Sequence, residues 1–128
     1  MKKLVIPDSV TTLGNNTFHG QNGGLSNLET LKIGNGITTL PVGLLAGLTK
    51  LNKLEIGNSV QKIGAGAFAN NSSISNITIP ESVTTIEAGA FSGWNSTQTI
   101  NVLKYSSQEE ATGYASGWNE NATVNWKQ

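Results

Sequence analysis

The sequence predicts a solenoid, a stack of short coils that pool their apolar residues in one interior, and two observations carry that expectation. The first is recurrence at a fixed period. Leu31, Leu54, Ile77 and Ile100 follow one another at steps of 23 residues, and so do Ile33, Ile56, Ile79 and Val102. Ile37, Val60 and Val83 form a third series, Leu40, Ile63 and Ile86 a fourth, and Leu45, Phe68 and Phe91 a fifth. Such a unit cannot bury its apolar face alone, so its neighbours must stack on it. The second observation is the alternation within each copy: Leu-x-Ile sets apolar against polar residues, as a half-buried strand does.

Each copy reads as three pieces. The strand comes first, at Leu4/Ile6, Leu31/Ile33, Leu54/Ile56 and Ile77/Ile79. IPDS, IGNG, IGNS or IPES follows, and Pro or Gly beside Asp, Asn or Glu and a small residue turns the chain. Val-x-x-Ile and then Ala-Phe (Val60, Ile63, Ala67, Phe68) bring it back as a short extended piece and a tight helical turn. Phe68 is expected to be the most enclosed side chain. In the second copy Leu44-Leu45 replaces Ala-Phe, a swap that roughly conserves volume.

The first copy begins near Met1, with Leu4, Ile6, Val10, Leu13 and Phe18 in the places of Leu54, Ile56, Val60, Ile63 and Phe68. The step from Ile6 to Ile33 is 27 residues, and the four extra residues fall within His19–Asn27. Gly23-Gly24 and their polar neighbours read as a surface loop, the kind of insertion that often marks a binding face. His19, Gln21 and Asn22 are the candidate contacts there.

At the other end the fifth copy keeps Ile100 and Val102, but Ser106 and Glu109 stand where Val and Ile are due. Ser107-Gln108-Glu109-Glu110 has the form of a capping box. Ala111, Tyr114, Ala115 and Trp118 follow at helical spacing, with Gly117 to end the helix. Ala122, Val124 and Trp126 alternate as a last strand. The expectation is thus a mostly β solenoid with short helical turns, of about four and a half repeats over residues 1–104, closed by a helix-plus-strand cap over 105–128. The first copy has no such cap, and its apolar residues lead to the expectation that the chain is the C-terminal part of a longer array or self-associates through that uncapped rung.

Composition narrows the function. Eight lysines balance eight carboxylates in 128 residues, and there is no arginine. That disfavours nucleic acid, whose readers carry basic patches and guanidinium forks. With no cysteine there is no disulfide, thiolate metal site or thiol nucleophile. The apolar run after Met1-Lys2-Lys3 ends at Pro7, too short for a signal peptide, and no segment is long enough to span a bilayer. One histidine and scattered carboxylates make a poor metal set. Asp8, Ser9 and His19 have the residue types of a catalytic triad, but Asp8-Ser9 recurs as Asn58-Ser59 and Glu81-Ser82, so turn chemistry explains the pair. No enzyme, metal or cofactor is expected.

The outward strand positions remain as the candidate partner-binding face: Lys3, Thr30, Lys32, Lys53, Glu55, Asn76, Thr78, Thr99 and Asn101. This face is mildly basic towards its N-terminal end and uncharged beyond. It suits a hydrogen-bonding protein interface or a solvated sheet. Trp94, Trp118 and Trp126 gather towards the C-terminal end, where they pack the cap or serve as sugar platforms.

LVIPDSVTTLGNNTF, LKIGNGITTLPVGLL, LEIGNSVQKIGAGAF and ITIPESVTTIEAGAF together resemble the BspA-like (Treponema-type) leucine-rich repeats, over about residues 1–103. The family's usual Cys, three residues after the Phe, is replaced by Gln21, Leu48, Asn71 and Trp94. The resemblance implies a bacterial cell-surface or secreted protein. It also implies a non-enzymatic adhesion module with a protein partner such as a host or extracellular-matrix protein. A structural spacer with no ligand of its own is the alternative, and carbohydrate binding through the C-terminal aromatics is the third reading.

Overall fold

The computed structural model describes residues 2–20 and 25–128, and within them the chain winds as a stack of rungs with nine short strands and no helix. Three kinds of ladder hold the rungs together. The front ladder comprises β1 (Lys3–Ile6), β2 (Thr30–Ile33) and β4 (Lys53–Glu55), then β6 (Asn76–Ile79), β8 (Thr99–Val102) and β9 (Thr123–Asn125). A second ladder joins β3 (Thr39–Leu40), β5 (Lys62–Ile63) and β7 (Thr85–Ile86). All the pairings are parallel, as coils wound in one sense require, and like stands on like: Leu4↔Leu31↔Leu54, Ile77↔Ile100↔Val124, Leu40↔Ile63↔Ile86. On the third side each rung donates forward to the next. Phe18 N–H reaches the Leu44 carbonyl, Leu45 that of Ala67, Phe68 that of Ala90, and Phe91 that of Trp118.

The stacked side chains form one continuous core. Leu31, Leu40, Leu45, Ile63, Phe68, Val83, Ile86 and Ile100 are fully enclosed. Leu44 and Leu45 both fill the interior in the second copy, as the volume argument expects. The stack has about five turns.

Two expectations about helices do not hold. The return segment is a series of single turns: Ala67 N–H bonds to the Gly64 carbonyl, Ala69 to Gly66 and Asn71 to Phe68. Left-handed residues at Gly66 (φ 66°) and Asn70 (φ 61°) bracket only three residues, too few for a helix to propagate. Gly43 and Gly89 repeat the first of these positions, and Gly47 and Gly93 the second.

The cap helix is likewise absent. The Ser107 hydroxyl does accept from the Glu110 N–H at 3.3 Å, which is half of the capping box, but no helix follows. Tyr114 instead bridges Ile86 in parallel: the Ile86 N–H donates to the Gly113 carbonyl, and the Ala115 N–H to that of Ile86. Ala111 and Tyr114 therefore occupy the places due to Val and Ile, at 28 residues from Val83 and Ile86 rather than 23. The chain does not leave the stack at Ser106. It loops out by five residues and comes back into register, and β9 adds a further strand beside β8.

Candidate functional site: a strand face split between two rungs

The outward positions of the front ladder lie in columns, so the predicted face is a real surface. Lys3, Thr30 and Lys53 form one column, and Val5, Lys32 and Glu55 the next. Beyond them Asn76, Thr99 and Thr123 line up, then Thr78, Asn101 and Asn125. Asn125 Nδ2 donates to Asn101 Oδ1 at 3.0 Å, the start of an amide ladder. Lys3, Lys32, Lys53, Glu55, Asn76 and Thr78 are exposed, while Thr30, Thr99 and Asn101 are half-buried. Among the described residues the two ion pairs, Lys2–Glu29 and Lys62–Glu87, lie off this face, leaving its three lysines without a carboxylate partner.

The structure adds a feature that the sequence reading missed. The front ladder is not continuous: β1, β2 and β4 make one three-stranded sheet, β6, β8 and β9 another, and β4 and β6 are not hydrogen bonded. The other two sides stay closed across this junction. Ile63 pairs with Ile86, and Phe68 N–H reaches the Ala90 carbonyl at 3.0 Å. The rungs thus part only at the front, over a groove of about 1070 Å³ lined by residues of both sheets.

The turn after the strand changes character at this junction. In the second and third rungs Gly34 and Gly57 lie hard against the rung before, where an added Cβ would strike the Ile6 and Gly34 carbonyls. The fourth rung has buried Pro80 at this place. One rung later Leu103 N–H donates to the Ile79 carbonyl, and the equivalent bond would run from residue 80 to the Ile56 carbonyl. Gly34 and Gly57 make no such bond in their own rungs, so what proline changes at this turn is the packing, its ring occupying the room that glycine leaves. A second ladder stops at the same junction. Asp8 Oδ1 accepts from Asn35 N–H at 2.7 Å and Asn35 Oδ1 from Asn58 N–H at 3.0 Å, but among the described residues Asn58 caps no following rung. Leu54 shows the consequence: it is half-buried, while its column neighbours Leu31 and Ile77 are enclosed.

The remaining candidates separate clearly. Asp8 serves that turn ladder and Ser9 is exposed on the same turn, which gives both a structural role. His19 is half-buried, beside Gly47. Gln21 and Asn22 lie outside the described residues. No group of three or more metal-ligating side chains occurs among the described residues, and no helix there is long and apolar enough to cross a membrane. Trp94 and Trp118 are only 2% and 4% exposed, with their indole N–H groups bonded to the Phe68 carbonyl and to Gln108 Oε1. Trp126 is half-buried and stacks on Tyr114, with ring centroids 6.4 Å apart. Trp94 and Trp118 pack the end of the stack, and Trp126 packs against Trp118 with part of its ring at the surface. Asn71, in the family's cysteine position, is fully buried and donates to the Leu45 and Leu48 carbonyls, a tie between rungs that no pattern of hydrophobicity would reveal.

Residues 1–113 match the family model described as the BspA type leucine rich repeat region, in six copies. No curated protein matches the chain in sequence. Two solved structures resemble it in fold. One is a leucine rich cell surface protein from Faecalibacterium prausnitzii A2-165, at 19% identity and a TM-score of 0.76, covering all of this chain and 33% of that one. The other is a leucine-rich repeat protein from T. pallidum, at 20% identity and a TM-score of 0.52, covering 77% of this chain and 57% of that one. The chain thus spans a third of the first neighbour's length and little more than half of the second's. With its rungs, register and repeat sequence all in agreement, the chain belongs to the BspA-type leucine-rich repeat family.

Proposed function

We infer that the chain is a protein-binding, adhesion-type module of a cell-surface protein, non-enzymatic, and that it binds through the front strand face. The observation that carries this reading is the face itself. Its outward side chains, Val5 apart, are polar, stacked in fixed columns and open to solvent over a broad groove, while Trp94 and Trp118 are buried in the core. A partner meets preset hydrogen-bonding rows, with little side-chain ordering left to pay for on association. Repeat families of this kind typically provide non-enzymatic binding modules, and the F. prausnitzii neighbour is described as a cell surface protein. Host or extracellular-matrix proteins are the partner class to test first.

The test is capture of matrix proteins by immobilised chain, with Lys32→Glu and Lys53→Glu beside the unaltered protein. Both lysines are exposed, so the substitutions leave the core intact. Charge reversal at the face is expected to cut capture about tenfold at low salt. Equal capture by the variants would place binding elsewhere. If the unaltered chain captures no protein, a spacer role replaces binding. Light scattering across concentration tests the first rung, where Leu4, Val10, Leu13 and Phe18 are half-buried. Mass that stays constant there removes self-association.

A further inference from the structure

We propose that Asn35-Gly36, in the turn after β2, is a site of spontaneous modification. Asn35 loses its amide through a cyclic imide and leaves an isoaspartate that loosens the first rung from the second.

The chemistry needs an asparagine whose side-chain carbonyl carbon is within reach of the next residue's main-chain nitrogen. Glycine in that next place removes the Cβ that otherwise hinders the approach. The corresponding turns carry Asp8-Ser9, Asn35-Gly36, Asn58-Ser59 and Glu81-Ser82, so the second rung alone joins an amide to a glycine there. Its surroundings suit the reaction. Asn35 is exposed and Gly36 half-buried. The Gly36 N–H has no acceptor among the described residues, which leaves its nitrogen uncommitted. Asn35 Oδ1 accepts from the Asn58 N–H at 3.0 Å, a bond that draws electron density from the carbon to be attacked. Solvent base removes the Gly36 amide proton, the nitrogen adds to Asn35 Cγ, and the Cγ–Nδ2 bond breaks to release ammonia. Water then opens the imide. Cleavage at Cγ gives aspartate and restores the main chain, whereas cleavage at the α-carbonyl gives isoaspartate, with the main chain routed through the side-chain methylene.

The stack treats these two products differently. Aspartate fits the turn, because Asp8 holds the equivalent place one rung earlier and its Oδ1 accepts from the Asn35 N–H. Isoaspartate adds a carbon to the main chain next to Gly36, where even a Cβ would strike the Asp8 and Val10 carbonyl oxygens. Those are backbone atoms of the first rung, so the extra carbon pushes that rung away rather than turning a side chain aside. β1 and β2 carry Lys3, Thr30 and Lys32, and the change therefore reaches the strand face.

Tryptic peptides test the site cleanly. Residues 33–50 contain Asn35 as their one asparagine, and residues 54–62 contain Asn58 as theirs. Asn22-Gly23, outside the described residues, falls in a different peptide. The folded chain is incubated at mildly alkaline and at mildly acidic pH, then digested beside an unincubated sample and weighed by mass spectrometry. Peptide 33–50 is expected to gain about 1 Da at least about tenfold faster than peptide 54–62, with isoaspartate among the products. The gain should be faster at alkaline pH, because the nucleophile is the deprotonated nitrogen. In the aged chain, amide exchange should quicken in β1 and β2 while β8 keeps its protection. Asn35→Gln should abolish the gain, since its ring would have to be six-membered. Asn35→Asp should keep the exchange pattern of the unaltered chain, which separates the added main-chain carbon from the added charge.

Equal rates at Asn35 and Asn58 overturn the site. So does a gain confined to the urea-unfolded chain, which would mean that the fold protects Asn35. Isoaspartate that forms without quickened exchange in β1 and β2, or equal quickening in Asn35→Asp, overturns the loosening of the stack.

Discussion

The first three rungs and the last three solve the same stacking problem by different means. In β1, β2 and β4 the rungs are drawn close by backbone: Gly34 and Gly57 let carbonyls approach within the reach of a missing Cβ, and the Asp8–Asn35–Asn58 ladder caps each turn from the rung before. The core there is mainly aliphatic, with Phe18 and Phe68 as its aromatic members. From Phe68 of the third rung onward, side chains supply many of the ties. Phe68, Phe91, Trp94, Trp118, Tyr114 and Trp126 run through the stack with ring centroids 5.0–6.4 Å apart, mostly edge to face. Gln98 Nε2, itself buried, reaches the Asn71 and Ile74 carbonyls at 2.9 Å. The front ladder breaks where one regime gives way to the other. Close backbone contact tolerates no added atoms, whereas interlocked aromatics hold two rungs together even when their strands have parted.

The strongest way to break this comparison is to remove the hub of the aromatic half. Phe91 touches Phe68, Trp94 and Trp118 and is 2% exposed. Phe91→Ala is expected to cost about 3–5 kcal/mol, counting lost transfer energy and the cavity left behind. Urea unfolding followed by tryptophan fluorescence measures it. A change below about 1 kcal/mol would mean that the rings do not tie the later rungs.

The backbone half should fail at a glycine. Gly57→Ala sets a Cβ against the Gly34 and Ile33 carbonyls, which are backbone atoms and cannot swing aside. The expected loss is about 2–3 kcal/mol, the range of overpacking in a tight site. Amide exchange should quicken in β2 and β4 while β8 keeps its protection, because the aromatic half does not depend on this contact. Gly66→Ala is the control for space. Nothing lies within 4 Å of its Cβ position, so its cost comes from the left-handed backbone alone, about 1 kcal/mol.

These two halves also divide what the sequence made legible. The period of 23 exposed the coil, the strand columns and the outward face, because period-2 alternation and fixed recurrence are direct consequences of stacking. The cap was misread for a physical reason. Ala111, Tyr114, Ala115 and Trp118 have helical spacing, but Val83, Ile86, Glu87 and Ala90 have the same spacing inside an ordinary rung. The return segment of this repeat imitates an amphipathic helix, and only the ladder to Ile86 tells the two apart. The split was illegible for another reason. Pro7 and Pro80 look alike in IPDS and IPES, and nothing in the period of 23 marks the step from β4 to β6 as different from the others.

The smallest effect expected concerns Tyr114, the residue that stands where an aliphatic column would continue. Its ring packs against Tyr105, Trp118 and Trp126, and its hydroxyl is buried without a protein hydrogen-bond partner. Burial, with the nearby Tyr105 adding to it, pushes the phenol well above the usual tyrosine range. The folded chain therefore holds this proton more tightly than the unfolded chain. Stability should be level below about pH 10, where both states are protonated, and fall above it, where the unfolded phenol ionises and the folded one does not. Tyr114→Phe removes the ionisation together with the orphaned hydroxyl. It should leave stability at neutral pH unchanged or raised by about 1 kcal/mol, and should flatten the decline between pH 10 and pH 11, read from thermal unfolding across that range. A decline as steep in Tyr114→Phe as in the unaltered chain would assign the alkaline sensitivity to another group, and would remove the buried phenol as the weak member of the aromatic stack.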